Sequence, residues 1–475
     1  MEVNAAHKLR HLMTAILAAF GVLAVWLAYW QVVMSGPLLE HPANRRRALL
    51  EERIKRGAIY DRAGRLLAST VYHQQEPARK YYYHPVELAP VLGYHSERYE
   101  ESGIEQGLDA ELSGRSEAGI WQELRSLVSG SRRQGSDVYL TIDAQLQAVA
   151  YDALGDYTGA VAIVQPATGQ ILALASKPSY DPSRIDEDLD ELGRAEPSRL
   201  LDRATQGLYP PGSSFKVVTA VAALEAGVVK PSSGFHCSGS TVIGRNYRVE
   251  CFEGGAHGDL SFAQALEQSC NCTFARVATR VGAERLWETA SRFGFGHRLE
   301  LPVPTRTSRI ARKQSDLSLG VLAQTGFGQG ECVVTPLQMA LVAAAIGNGG
   351  KLMKPYLVTQ IREQGRIVQR IKPEEWAQVA KRETVAEVAR MMQGVVRHGT
   401  GTRARVRGLT VAGKTGTAEN PHGRTHAWFI GYAPADHPRV ALAVLLENGG
   451  VGGRHAAPVA RQILEWLRDR WQGEQ

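Results

Sequence analysis

Ser213 stands three residues before Lys216 in Pro210-Pro211-Gly212-Ser213-Ser214-Phe215-Lys216. The apolar run that follows to Ala226, closed by Gly227, predicts a helix with Ser213 in its first turn. Helix positions three apart share a face, so the Lys216 amine lies beside the Ser213 hydroxyl. A serine hydroxyl is a weak nucleophile until a base takes its proton. A lysine serves as that base if desolvation or a second cation lowers its pKa toward neutrality. The helix N-terminus also favours negative charge developing at Ser213. The implied chemistry is acyl transfer through a serine ester. Alone the pair says little, since chance supplies Ser-x-x-Lys about once or twice in such a chain and an N-capping serine is the simpler reading.

Two further groups change that. Ser269-Cys270-Asn271 is the sole Ser-x-Asn, between a predicted short helix (Ser261–Gln268) and a longer one (Thr273–Val281). Taken alone it reads as a helix cap. Lys414-Thr415-Gly416-Thr417 is the sole Lys-Thr-Gly, within a predicted strand Leu409–Thr417. Gly416 there leaves room for a ligand backbone against the strand, the simpler reading being a strand-end turn. Ser-x-x-Lys, Ser-x-Asn and Lys-Thr-Gly in this order form the combination found in penicillin-binding proteins and active-site-serine β-lactamases.

The elements that must position these residues follow from patterning. Thr158–Val164 and Gln170–Ser176 are apolar β-prone runs joined by Pro166-Ala167-Thr168-Gly169, a hairpin. Leu409–Thr417, His426–Tyr432 and Arg439–Leu446 give three more strands, and Pro458–Trp471 an amphipathic closing helix. A long, Ala-rich, mostly helical section lies between. The fold class expected is α+β: a five-stranded antiparallel sheet built from both ends of the domain, flanked by helices and a mostly helical subdomain.

The 475 residues carry a net charge of +7. The first 66 hold ten basic and five acidic residues, so most of the excess is local and nucleic acid is not an expected partner. No charged residue occurs between His11 and Met34, a run long enough to cross a bilayer, with Trp26, Tyr29 and Trp30 toward its outer end. An uncleaved anchor is favoured over a signal peptide. The basic cluster Arg45, Arg46, Arg47, Arg53, Lys55 and Arg56 suits anionic lipid, a partner, or a solvated face. The expected organisation is 1–10 cytoplasmic, 11–34 transmembrane, 35–140 a small accessory region of short strands and loops, and 141–475 the catalytic domain. Five cysteines are an odd number. No Cys-x-x-Cys pair is present and neither His236 nor His257 completes a zinc spacing, so no metal or other cofactor is expected. Cys237 and Cys251 flank Ser238–Glu250, a polar stretch that reads as a hairpin or exposed loop, and are the candidate disulfide, against five buried free thiols.

Along nearly its whole length the chain resembles class B penicillin-binding proteins. Residues 56–68 (Arg56-Gly57-Ala58-Ile59-Tyr60-Asp61-Arg62 onward) and Gly103-Ile104-Glu105 are similar to the family's pedestal segments. Ser179-Tyr180-Asp181-Pro182, Gly328-Gln329-Gly330, Thr335-Pro336-Leu337-Gln338 and Ala427-Trp428-Phe429-Ile430-Gly431-Tyr432 are similar to its transpeptidase-domain signatures. Ser183 and Asp202 depart from the usual asparagine, and Ala256 from a glycine. The resemblance implies that Ser213 attacks a stem peptide ending in D-Ala-D-Ala and is acylated by β-lactams. Lys216 would be the base, Ser269 and Asn271 would relay the proton and hold the acyl group, and Lys414 would add positive potential. Thr415 and Thr417, with Gly416 between them, would bind the terminal carboxylate, and the Ser213 and Thr417 amides would form the oxyanion hole. It further implies a catalytic domain outside the cytoplasm and a SEDS-type glycosyltransferase partner, because residues 35–140 do not resemble a glycosyltransferase. A D-Ala-D-Ala carboxypeptidase, a β-lactamase or β-lactam sensor, and a catalytically silent scaffold are the competing readings.

Overall fold

The computed structural model describes residues 2–34, 55–73, 76–96, 98–115, 134–420 and 423–473. A helix over Glu2–Ala28 runs into a π-helical turn at Tyr29–Val33. Its apolar stretch, Arg10–Gln31, is long enough to cross a membrane and is not buried by any of the described residues. Most of the basic cluster after it lies outside the described residues. Arg56 does not face solvent or lipid: it is buried in a network of ion pairs.

The central sheet has five antiparallel strands in the spatial order Ala412–Ala418, His426–Ala433, Val440–Leu446, Gly159–Val164 and Ile171–Lys177. The last-made strand therefore pairs with the first-made one, Ala443 opposite Ala162. Both faces are covered. Ala160, Ala162, Ile430 and Ala443 point into one core with the helix Pro336–Gly347, while Val161, Ile163, Phe429 and Val444 point into another with the C-terminal helix Ala456–Gly473. Burial on both sides is why these strands read as continuous apolar runs rather than alternating ones. The expected strand and helix positions hold to within a few residues.

The section between is helical, as expected, with helices at Lys216–Glu225, Asn271–Val281, Ala283–Arg292 and Arg382–Arg397 among others. It also carries short strand pairs, among them the hairpin that is one reading of the polar stretch Ser238–Glu250. Gly234–Cys237 pairs with Gly258–Ser261, and Ser240–Ile243 with Tyr247–Glu250. These strands are short and half exposed, so their periodicity is weak.

A second, six-stranded sheet runs in the order Arg366–Arg370, Val358–Glu363, Asp137–Leu140, Ile59–Tyr60, Leu66–His73 and Glu76–Tyr81. Two of its strands come from sequence more than 200 residues beyond the others, so the accessory sheet is completed by a hairpin from the catalytic section. Beneath it Arg56 Nε meets Glu105 Oε2 at 2.8 Å and Arg56 Nη1 meets Asp109 at 2.5 Å, while Arg79 Nε meets Glu105 Oε1 at 2.6 Å. Burial works against the Glu105 carboxylate, yet Arg79 and Arg56 hold its pKa below the usual value. Removing one member of such a network strands the others without counter-charge. Glu105→Ala is expected to destabilise by about 3–5 kcal/mol, read as a lowered urea midpoint of the detergent-solubilised chain. A midpoint within error of the parent's would show that the network is not holding the accessory sheet.

Candidate active site

Gly212–Phe215 forms a 3-10 turn that leads into the helix Lys216–Glu225, so Ser213 sits just before the α-helix rather than in its first turn. Gly212 adopts φ +53°, and its Cα lies so near the Thr417 carbonyl that an added Cβ would meet it at 2.6 Å. Ser214 Oγ donates to the Pro211 carbonyl at 2.7 Å and is fully buried. The Trp428 indole donates to the Pro210 carbonyl at 2.9 Å, and Gly212 N to the Gly328 carbonyl at 2.9 Å. The loop carrying Ser213 is thus tied to the sheet on one side and to Gly328 on the other. The Gly416 Cα, expected to leave room for a ligand backbone, also lies against this loop. A Cβ there would meet the Pro211 carbonyl at 2.8 Å and the Ser214 amide at 3.2 Å.

The three motifs converge. Lys216 Nζ lies 3.0 Å from Ser213 Oγ, 2.7 Å from the Ser269 carbonyl, 2.7 Å from Asn271 Oδ1 and 3.2 Å from Ser269 Oγ. Lys414 Nζ lies 2.9 Å from Ser269 Oγ and 2.9 Å from the Thr415 carbonyl. Both lysines are fully buried. Burial lowers Lys216 from 10.5 to about 7 against a smaller opposing effect of nearby thiols. Burial, and then the charge of Lys216, push Lys414 well below the ordinary lysine value.

Hydrogen-bond capacity then sets direction. The Ser269 carbonyl and Asn271 Oδ1 only accept, so a neutral Lys216 amine gives them its two N–H groups. Its lone pair is left for the serine hydroxyls. Ser269 Oγ bridges Lys216 and Lys414 and provides a path for a proton between them. Ser269 itself holds φ +62°, in the left-handed region that costs a non-glycine residue free energy. Thr415 Oγ1 is bonded to Thr400 Oγ1 at 2.6 Å, and Thr417 Oγ1 accepts from Gly452 N at 3.3 Å. Ser213, Ser269, Asn271, Thr415 and Thr417 all line one open groove of about 850 Å³.

Directly behind the Ser-x-Asn wall lies a thiol cluster that linear spacing conceals. The ligand atoms of Cys237, Cys251, His257 and Cys270 all lie within 4.8 Å of one another. Cys237 Sγ is 3.6 Å from Cys251 Sγ and 3.4 Å from His257 Nδ1, and Cys251 Sγ is 3.8 Å from Cys270 Sγ. Tetrahedral Zn²⁺ with Zn–S bonds of about 2.3 Å places sulfurs about 3.8 Å apart, so three thiolates and an imidazole here fit such an ion. Thr273 N and Oγ1 approach Cys270 Sγ at 3.4 and 3.3 Å, as donors to a thiolate would. Spacing along the chain gives no metal-ligand set; the fold brings these four ligand atoms together. All five cysteines are free and buried, so Cys237 and Cys251 adjoin without being bonded. Cys272 adjoins the cluster, 3.5 Å from Cys251, a contact that linear spacing does not reveal.

A family model for the penicillin-binding protein transpeptidase domain matches residues 159–465, and one for the penicillin-binding protein A dimerisation domain matches residues 56–138. The chain belongs to the penicillin-binding protein transpeptidase family, and within it to the class B type. Peptidoglycan D,D-transpeptidase PbpA of Mycolicibacterium smegmatis is 34% identical over 96% of this chain and 98% of its own. The D,D-transpeptidase MrdA of Escherichia coli K12 is 32% identical over 72% of this chain and 59% of its own. The solved structure of penicillin-binding protein A from Mycobacterium tuberculosis, as a ceftriaxone acyl-enzyme, is similar with TM-score 0.82 and 31% identity. It covers 87% of this chain and 98% of that one.

Two measurements probe the site. With Lys216 neutral only above a pKa of about 7, the rate of acylation by penicillin is expected to rise through an inflection near pH 7 and level off above it. Lys216→Arg, still cationic but unable to give up its proton, is expected to be nearly as inactive as Lys216→Ala. A flat pH profile together with an active arginine variant would mean that the position supplies charge alone. For the thiol cluster, one equivalent of Zn²⁺ added to chelator-treated protein is expected to protect Cys237, Cys251 and Cys270 from alkylation and to raise the melting temperature. Alkylation unchanged by zinc would exclude the ion from the cluster.

Proposed function

We propose that this chain is a membrane-anchored peptidoglycan D,D-transpeptidase whose nucleophile is Ser213. The reading rests on one observation above all: a buried amine, lowered toward neutrality, 3.0 Å from a groove-facing serine hydroxyl. Lys216 takes the Ser213 proton as Oγ attacks the carbonyl of the penultimate D-Ala of a stem peptide. The amides of Ser213 and Thr417 receive the oxyanion. Ser269 passes the proton toward the departing D-alanine, and Asn271 orients both Lys216 and the acyl chain. Lys414 holds Ser269 in place, while the Thr415 and Thr417 hydroxyls on either side of Gly416 take the terminal carboxylate. An amine from a neighbouring strand then resolves the ester. A β-lactam enters the first half of this sequence and stalls there as an acyl-enzyme, as in the ceftriaxone and penicillin G acyl-enzymes of the Mycobacterium tuberculosis protein.

Because lipid-linked peptidoglycan lies outside the cytoplasm, the N-terminus is placed inside, residues 11–34 in lipid and the rest outside. The pedestal and anchor are the surfaces through which a SEDS-family glycosyltransferase would supply strands. The support for that partner is family analogy.

Labelling with a fluorescent penicillin tests the assignment. Ser213→Ala is expected to lose the label. Ser214→Ala is expected to keep most of it and to lose only about 1 kcal/mol of stability with the bond to the Pro211 carbonyl. Loss of label from folded Ser214→Ala alone would put the nucleophile one residue on. Acyl-enzyme hydrolysis at many turnovers per second would make the protein a β-lactamase instead.

A further inference from the structure

The groove that holds Ser213 is lined by the carboxylates of Glu250, Glu253 and Glu419 and by two guanidiniums, Arg403 and Arg454. The arginines come from separate loops that both rest on the Lys-Thr-Gly strand. The first loop bonds it through Thr400 and Thr415 at 2.6 Å. The second packs so tightly that a Cβ on Gly453 would meet the Thr400 carbonyl at 2.4 Å and the Thr415 methyl at 3.7 Å. Arg403 Nη1 donates to the Arg454 carbonyl at 3.3 Å and so joins the loops. Among the described residues neither guanidinium forms an ion pair.

Two guanidiniums on one wall with no counter-ion favour an anion placed beside them. With Lys216 and Lys414 disfavoured as cations by burial, these arginines are the permanent positive charges lining the groove. Their place is also specific. Both loops that carry them rest on Thr415.

We propose that Arg403 and Arg454 form an acceptor subsite that binds the carboxylate carried by the carbon next to the attacking amine. The inference rests on the transpeptidase reading above. In the step it serves, the amine nitrogen bonds to the acyl carbon, the Ser213 Oγ–carbon bond breaks, and one amine proton passes through Lys216 to Oγ. The acceptor class selected is therefore a strand whose nucleophilic amine belongs to an amino-acid centre, over one whose amine ends a plain alkyl side chain. The three glutamates repel that carboxylate elsewhere along the groove.

The test uses the full chain in detergent with a thioester acyl donor and two acceptors, D-alanine and D-alaninamide, scoring the ratio of aminolysis to hydrolysis. The parent is expected to favour D-alanine about tenfold, the worth of one charge-assisted contact. The Arg403→Gln/Arg454→Gln variant is expected to lose that preference while its acylation by penicillin, which needs no acceptor, stays at the parent rate. A parent with no preference, or a variant that keeps it, overturns the proposal. So does a parallel fall in penicillin acylation, which would give the arginines to the donor's terminal carboxylate. Failure of the parent itself to be acylated would count against the transpeptidase reading instead.

Discussion

Two lysine amines are buried side by side around a single serine hydroxyl, and most of the catalytic domain is arranged to make that tolerable. Water would hold both as ammonium ions, but out of water each charge is costly and their mutual repulsion adds to the cost. Lys216 answers this by meeting two acceptor-only oxygens and a serine, and Lys414 by meeting Ser269 Oγ and its neighbour's carbonyl. The low amine pKa of Lys216 is the same fact seen from its protonation. Ser269 is the shared partner, and its left-handed backbone is held by what surrounds it.

That arrangement is only as good as the spacing between three separate supports. The Ser213 turn is pressed onto the Lys-Thr-Gly strand at two glycines, Gly212 and Gly416, where any side chain would force the nucleophile off the sheet. The Ser-x-Asn turn hangs between two helices and is backed by Cys270, Cys251 and Cys272 in sulfur contact. An ion bound by Cys237, Cys251, His257 and Cys270 would stiffen the wall that Lys216 leans on, because Cys270 lies between Ser269 and Asn271. The accessory sheet is separate in composition but not in connection. Its outer hairpin, 358–370, is lent by the catalytic section, and Thr359 Oγ1 donates to the Tyr139 carbonyl across the join.

The linear sequence by itself determined the chemistry. Ser213 and Lys216 are brought together by helical geometry alone, and the order of the three motifs identifies the class of site. The central strands were legible because burial on both faces leaves long apolar runs, and the closing helix because its apolar stripe keeps a helical period. Other features were decided only by the tertiary structure, each because it depends on residues far apart in sequence. Arg56 reads as one more member of a basic surface cluster until Glu105 and Asp109 surround it. Gly416 gives no sign in the sequence that the serine turn packs against it. Cys237, Cys251, His257 and Cys270 have no metal-ligand spacing, since pairing of the strands Gly234–Cys237 and Gly258–Ser261 is what carries His257 to Cys237. Arg403 and Arg454 carry no motif at all. Patterning reports what neighbouring residues do to one another, whereas a groove's charge and a cluster's geometry are set by which loops the sheet happens to bring side by side.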